Sequence, residues 1–541
     1  MEQQRTATTH PPGIIGPVWI WARQFGAATY TWLAQGPLFF ILAVAITARL
    51  LRLTWLGLWT NEGFSVFLAQ SSLRALVIGT ANDLHPPLFY LLLKLWLLPG
   101  KSLVWLRLFP VLFGMLTVAL VYHVGRRLLG PAVGGWAALF LALAPKHVAY
   151  SREARMYILL AFFALLSLYL LWRCLEEPFP GCWFGYVAAT LAMVYTQNLG
   201  LVFVPVEVVI AVVLLALRRD VRTVRAWLIA QLFVLAGYVP WLPITIEQAL
   251  FRPTPWIRPA SLLDLRISFP HILLGVPPLR GEQQDPWQVV AYMWLVVVLV
   301  AGVILVIRKK KVWAGLWLAL AILLPAGLLL ALMLFLPLYQ EQQLLVLAAP
   351  LALLAGAGAA GLPKIGRVLL LVAFLALVAM PLHSIYFRPI WGDQPAAEGW
   401  RELAAYLDVH AAPEDAIVLN PAAAAPSLDF YLQTPLDRVV YPQPYDPLIG
   451  SFAGKVATSE IVEARLRPLA EQHERIWLIA CCMPTYWDPQ SLIPAWLAQW
   501  GQSQPLPSFQ GIEVRLYEGS VVQSLYLQCR KPKEVSHDKP Q

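Results

Sequence analysis

Uninterrupted apolar runs, each near the ~20 residues that cross a bilayer as a helix, fill most of residues 37–385. Inside hydrocarbon every backbone N–H and C=O must be paired within its own segment, so runs of this kind are committed to helix. About eleven spans fit the pattern: 37–57, 106–125, 131–147, 156–173, 182–197, 199–217, 226–246, 288–307, 313–336, 343–361 and 366–385. The chain is 59% hydrophobic and 13% charged, against about 25% charged in a soluble domain. The net charge of +9 is not a nucleic-acid signature, because the cations sit in short loops and not on an interleaved basic and aromatic surface.

Those cations fix an orientation. Arg126-Arg127, Arg173, Arg218-Arg219 with Arg222 and Arg225, Lys309-Lys310-Lys311, and Lys364 with Arg367 all fall on one side of the predicted spans. The positive-inside rule makes that side cytoplasmic. The N-terminal segment 1–36 lies there too, and with no small-residue cleavage site the first span is expected to remain as an anchor. The spans and their connections form one membrane domain, 37–386. Loops 58–105 and 247–287, and everything after Ser384, then lie outside. Pro87–Leu98 is apolar but short, and stretches of ~10–14 residues suit an interfacial or re-entrant helix. It is expected to lie along the outer face, with Lys94 snorkelling to the interface.

Beyond Gly392 the apolar runs shorten. Helical patterns at Ala397–His410, Ser459–Gln472 and Pro489–Trp500 alternate with strand-like runs at Ala416–Asn420, Arg475–Ala480, Ile512–Tyr517 and Val521–Leu527. Such alternation predicts a small α/β domain over 390–530, followed by a disordered tail at 531–541. The expected fold is thus an α-helical polytopic membrane protein carrying a C-terminal extracytoplasmic α/β domain. The small residues of Ala355–Gly361 suit close helix packing. Five cysteines show no metal-ligand spacing; Cys529 is expected to pair with Cys481 or Cys482.

Three polar islands interrupt the first third: Trp59–Ser65, Asp83–Leu88 and Tyr150–Tyr157. Ionisable groups at membrane level are costly, which makes them functional candidates. Glu62, beside Asn61, is a candidate general base, since a partly desolvated carboxylate can be tuned toward neutral pH; the alternative is a helix-capping Asn with an exposed loop Glu. Asp83 is a second acid. His85 is presented from a rigid Pro86-Pro87 turn at a helix start and suits a phosphate. Lys146, His147, Arg152, Glu153, Arg155 and Tyr157 gather cations where the positive-inside bias disfavours them. Arginine suits bidentate phosphate recognition; the alternative is an Arg–Glu network that anchors the loop. Arg107, at the outer start of the second span, belongs to the same neighbourhood. Tyr195–Asn198 and Tyr339–Gln343 are weaker polar breaks. The loop holding Trp256, Arg258 and Arg280 is long enough for a lid.

In order and spacing these islands resemble the GT-C glycosyltransferases, most closely glycosyltransferase family 39. The matching residues are Glu62, His85-Pro86-Pro87, Arg107-Leu108, Gly125-Arg126-Arg127 and Ser151–Tyr157. The resemblance covers roughly Leu51 to Ser384, and Trp400-Arg401-Glu402 and Arg475-Ile476-Trp477 extend it to the outer domains of bacterial members. It implies a bacterial plasma membrane protein that transfers a sugar from a polyprenyl-phosphate donor, with inversion, to a lipid, glycan or protein on the outer face. It implies no obligatory cofactor and leaves a divalent cation open. Two positions depart from the family. Asn61 stands where the family has the Asp credited as base, and Gln342-Gln343 stand where an Arg-Tyr pair often helps hold the donor phosphate. Glu62 or Asp83 is then left as base, with Gln342 at the donor site. The alternative is a member of the same fold that binds lipid or glycan without catalysis. A transporter would need broken helices with charge near mid-membrane and repeats; the ionisable residues are read here at helix ends.

Overall fold

The computed structural model describes residues 36–218, 220–251, 270–275, 286–335, 340–388, 390–391, 394–395, 398–440, 456–481, 487–504 and 506–519. The segment 1–35, most of the 247–287 loop, Cys482, Cys529, the strand expected at Val521–Leu527 and the 531–541 tail lie outside these residues.

Seven of the described helices are long and apolar enough to cross a membrane, or eight if one bent pair counts as a single span. They are α5 (Leu103–Leu128), α8 (Tyr157–Glu176), α10 (Gly200–Arg218), α14 (Pro286–Arg308), α15 (Val312–Phe335), the 3-10 turn Glu341–Leu347 with α16 (Ala348–Gly361), and α17 (Lys364–Phe387). The bent pair is α11 (Val221–Tyr238) with α12 (Leu242–Phe251), kinked by 66°. Three other predicted spans are helices in the expected places: α1 (Gly36–Leu50) and α6 (Pro131–Leu143), both shorter than expected, and α9 (Pro180–Thr196), of about the expected length. The first span was expected to reach residue 57; its helix stops at Leu50, and Leu51–Leu56 form turns.

The small-residue run of α16 sits against α6 and α14. A Cβ on Gly358 would lie 1.9 Å from the Val298 carbonyl oxygen, so backbones here approach as only glycine permits. At one end of the bundle Arg127 pairs with Glu176 and Glu177, Arg173 pairs with Glu177, and Lys309 donates to the Leu129 carbonyl. Three of the predicted basic clusters, at Arg127, Arg173 and Lys309, therefore gather at a common end. The opposite end carries the short helices α2 (Thr60–Gln70), α3 (Leu73–Asn82), α4 (Leu88–Trp96) and α7 (Pro145–Tyr150). At nine residues α4 is too short to span, as its sequence predicts. Lys94 does not snorkel: its ammonium donates to the Ala69 and Ser71 carbonyls at 3.3 and 2.6 Å and caps the C-terminus of α2. The short helix α13 (270–274) is buried nearby.

After α17 a two-residue ladder, β1 (Ile390–Trp391) with β2 (Gln394–Pro395), leads into the α/β domain. Its mixed sheet has the order β4-β3-β5-β7-β6, with β3 (Ala416–Asn420) parallel to β4 (Asp437–Val440) and β5 (Arg475–Cys481), and β7 (Ile512–Gly519) antiparallel to β5 and to β6 (Gly501–Gln504). Strand alternation sends Ile417, Leu419, Trp477 and Ile479 to one face, under α18 (Trp400–His410). Val418, Ile476 and Leu478 point to the other face, under α20 (Ser459–Gln472) and α21 (Leu492–Trp500). The short helix α19 (Ala425–Asp429) faces the membrane domain.

Candidate functional site

The three islands meet at the end of the bundle that holds the α/β domain. The centre is a buried ion pair. Arg107, in the first turns of α5, reaches Glu62 near the start of α2 with Nε–Oε1 at 3.2 Å and Nη2–Oε2 at 2.7 Å. The guanidinium also donates to the Leu53, Leu56 and Gly57 carbonyls, which satisfies the irregular loop before α2. The Ala154 N–H donates to Glu62 Oε1 at 2.9 Å, so the same carboxylate fastens the third island.

Arg155 completes the junction. Its Nη1 donates to the Asn61 carbonyl and to Ser65 Oγ, each at 3.2 Å, and its Nη2 stands 3.4 Å from His85 Nε2. The His85 turn is braced from behind. Asn198 donates to the Leu84 carbonyl and to Gln248, and Gln248 donates to the Thr80, Ala81 and Asp83 carbonyls. The polar break at Tyr195–Asn198 is therefore a brace for the second island. Asp83 caps α3 and stays partly accessible. Burial, with Arg155 beside it, pulls His85 down to about 3, so the imidazole is neutral near neutral pH.

A second cationic group lies alongside. Arg49, near the end of α1, donates to the Ala45 and Ala142 carbonyls and contacts His147 Nδ1 at 2.7 Å. Arg152 donates to the Arg52 carbonyl and packs over the Tyr386 ring at 5.0 Å. Among the described residues neither arginine forms an ion pair, and Arg49 Nε, Arg152 Nη1 and His147 Nε2 are buried without a partner. Burial pulls Arg152 down to about 10. Uncompensated buried cations favour a bound anion. Lys146 packs over Tyr150, and Tyr150 meets Tyr157 edge to face. Gln342 is half-buried on the 3-10 turn, which packs on α7 and α8.

The α/β domain closes over α2. Glu398 accepts from the Thr60 N–H and hydroxyl at 2.9 and 2.5 Å, Tyr431 takes the Leu58 N–H, Ser427 donates to the Trp59 carbonyl, and Arg401 donates to the Thr54 carbonyl. A Cβ on Gly63 would lie 2.1 Å from Ser427 Oγ, so α2 and α19 touch backbone to backbone.

The geometry leaves Glu62 little free acceptor capacity for the role of base. The side chain is unexposed, and three of the roughly four acceptor positions of a carboxylate are taken by Arg107 and Ala154. It is a strut between islands. A partner 45 residues away leaves no local trace in sequence. Glu153 is half-buried; burial, reinforced by Glu62, pushes it up to about 8, against the opposing pull of Arg155, Arg107 and nearby Trp59.

Two groups escaped sequence reasoning. Arg49 was absorbed into an apolar span, though a lone Arg there is a signal. Glu207 lies in mid-α10, buried, accepting from Tyr186 at 3.0 Å, while Gln231 donates to that tyrosine. Ionisable residues are thus not confined to helix ends, and the bent α11–α12 pair is a broken helix of the kind that had not been expected. Among the described residues no cluster of three or more His, Cys, Asp or Glu side chains gathers to hold a metal. Cys174 and Cys182 form a disulfide across the α8–α9 hairpin, which spacing had not suggested; the Cys529 pairing rests on residues outside those described.

Residues 84–244 match the family model of dolichyl-phosphate-mannose-protein mannosyltransferases. A comparison with curated protein sequences finds no match. Among solved structures, ArnT from Cupriavidus metallidurans in the apo state is similar with a TM-score of 0.55 and 14% identity, over 92% of this chain and 99% of that one. The same protein bound to undecaprenyl phosphate gives 0.55 and 15%, over 90% and 99%. The Archaeoglobus fulgidus oligosaccharyltransferase tethered to an acceptor peptide gives 0.50 and 12%, over 90% and 74%. The chain is a multi-pass membrane protein of the GT-C glycosyltransferase fold, with the mannosyltransferase family match lying across two of the three islands that build its site.

Proposed function

We propose that the protein transfers a sugar from a polyprenyl-phosphate donor to a lipid, glycan or protein acceptor, with inversion, at the outer membrane face. The observation that carries this reading is the convergence of all three islands on Arg155, beside buried cations that lack a counter-ion. A phosphate leaving group needs such charge where negative charge develops. Arg152, Arg49 and Lys146 would face the phosphate, with neutral His85, Gln342 and Tyr157 lining the approach. The likeness to a protein crystallised with undecaprenyl phosphate supports a polyprenyl carrier. The Arg107–Glu62 pair holds the islands in register, and Asn61 and Asp83 border the same space. No divalent cation is assigned to this arrangement.

Undecaprenyl phosphate binding to the purified protein tests the donor class. A ligand that binds only the folded state raises the melting temperature with concentration. Wild type is expected to show that rise, and Arg152→Ala to need at least about tenfold more lipid for it, as expected for loss of about one charge-assisted contact. No stabilisation of wild type by the lipid would overturn the donor assignment.

The amide at Asn61 favours a second reading, a lipid- or glycan-binding member that has lost its base. That reading predicts binding without turnover.

A further inference from the structure

We propose that the Glu153 carboxylate takes the proton from the acceptor hydroxyl, in place of the acid that Asn61 does not supply. This rests on the transfer reading above. In the step, the acceptor oxygen forms a bond to the anomeric carbon as the bond from that carbon to the donor phosphate oxygen breaks. The bonding pair leaves on polyprenyl phosphate, and the hydroxyl proton passes to Glu153.

The assignment is geometric. Glu62 is sealed and saturated by Arg107 and the Ala154 N–H. Glu153 immediately precedes Ala154, so the contact that fixes Glu62 also fixes the backbone beside Glu153. Its carboxyl lies near Trp59, the N-cap position of α2 two residues before Asn61. Arg155, two residues on, holds the Asn61 carbonyl. Glu153 thus sits between two residues that fasten the island bearing Asn61. It is partly open to solvent, and among the described residues no Arg or Lys forms an ion pair with it. The charged groups facing it are Glu62 from α2, Arg107 from α5, and Arg155 from its own loop. Burial first and Glu62 second hold its proton, up to about 8; Arg155 and Arg107 oppose them. A base must be deprotonated to act, so the rate should climb with pH toward about 8 and level off above it.

The test measures turnover of undecaprenyl-phosphate-linked hexoses and pentoses by the purified full-length protein from pH 5 to pH 10. It compares wild type, Glu153→Gln, Glu153→Asp and Asp83→Asn, with undecaprenyl phosphate binding and melting temperature as controls. Expected is a loss of about 10²–10⁴-fold in Glu153→Gln, the usual worth of a general base, with lipid binding and melting temperature kept. The rising limb disappears in that variant, and Glu153→Asp recovers part of the rate. If wild type turns over and Glu153→Gln stays within about threefold of it, or if Asp83→Asn alone removes the limb, Glu153 is not the base while transfer stands. If wild type binds the lipid and turns over no donor at any pH, both the base and the transfer reading fall. Should Glu153→Gln not fold, Glu153→Asp decides alone: a retained melting temperature with the limb shifted supports the assignment, and a wild-type profile overturns it.

Discussion

Glu62 and Glu153 lie within one cluster, and their surroundings divide the labour between them. A buried carboxylate that loses its guanidinium partner, or the reverse, costs about 3–5 kcal/mol, because the remaining charge is stranded in low dielectric. Glu62→Gln is therefore expected to lower stability by about that amount, read as thermal or denaturant unfolding in detergent, with activity falling alongside. Wild-type stability in Glu62→Gln would show that the Arg107 pair is not a strut. The sequence displayed every member of this cluster, and the order of the motifs pointed to the right neighbourhood. It did not show which carboxylate faces Arg107. That depends on how α2 and α5 meet, and neither helix records the other in its own pattern. Arg49 and Glu207 were missed for a related reason: one polar residue inside an apolar run hardly changes the average on which a span is recognised.

At the level of elements, α2 is held from two sides, by α5 through Glu62 and by the α/β domain through Thr60, Gly63 and Ser427. Replacing a helical Gly by Ala gains up to about 1 kcal/mol of propensity. At Gly63 the new methyl would meet Ser427 Oγ at 2.1 Å and its backbone nitrogen at 2.8 Å, and overpacking costs about 1–3 kcal/mol. The clash should win, so Gly63→Ala is expected to lower the unfolding temperature. Gly135→Ala, with nothing within 4 Å of the new atom, should not. Equal behaviour of the two variants would refute close docking of the domains. Strands and helices of the α/β domain were legible where apolar alternation is strong: Ala416–Asn420 and Ser459–Gln472 fall where expected. The strands β4 and β6 were not foreseen. They are edge strands of the sheet, and β6 reads Gly-Gln-Ser-Gln with mostly exposed side chains, so neither hydrophobicity nor β-branching marks it. The number of spans was less legible than their positions, since hydropathy registers apolar length and not where a helix breaks.

Across the whole molecule, the cationic loops gather at one end of the bundle and the islands with the α/β domain at the other. That polarity was readable from charge alone, because the positive-inside bias acts on loops one at a time. The same end collects the Glu62–Arg107 pair, the braced His85 turn and the uncompensated cations into one site, the place proposed for a lipid-borne phosphate. The central claim is that this site performs transfer despite the amide at Asn61. The most direct measurement is product formation by wild-type protein from a panel of undecaprenyl-phosphate sugars, set beside Asn61→Asp. Turnover by wild type is expected, with no requirement for the Asp. Turnover confined to Asn61→Asp, with wild type binding the lipid and doing nothing further, would contradict it.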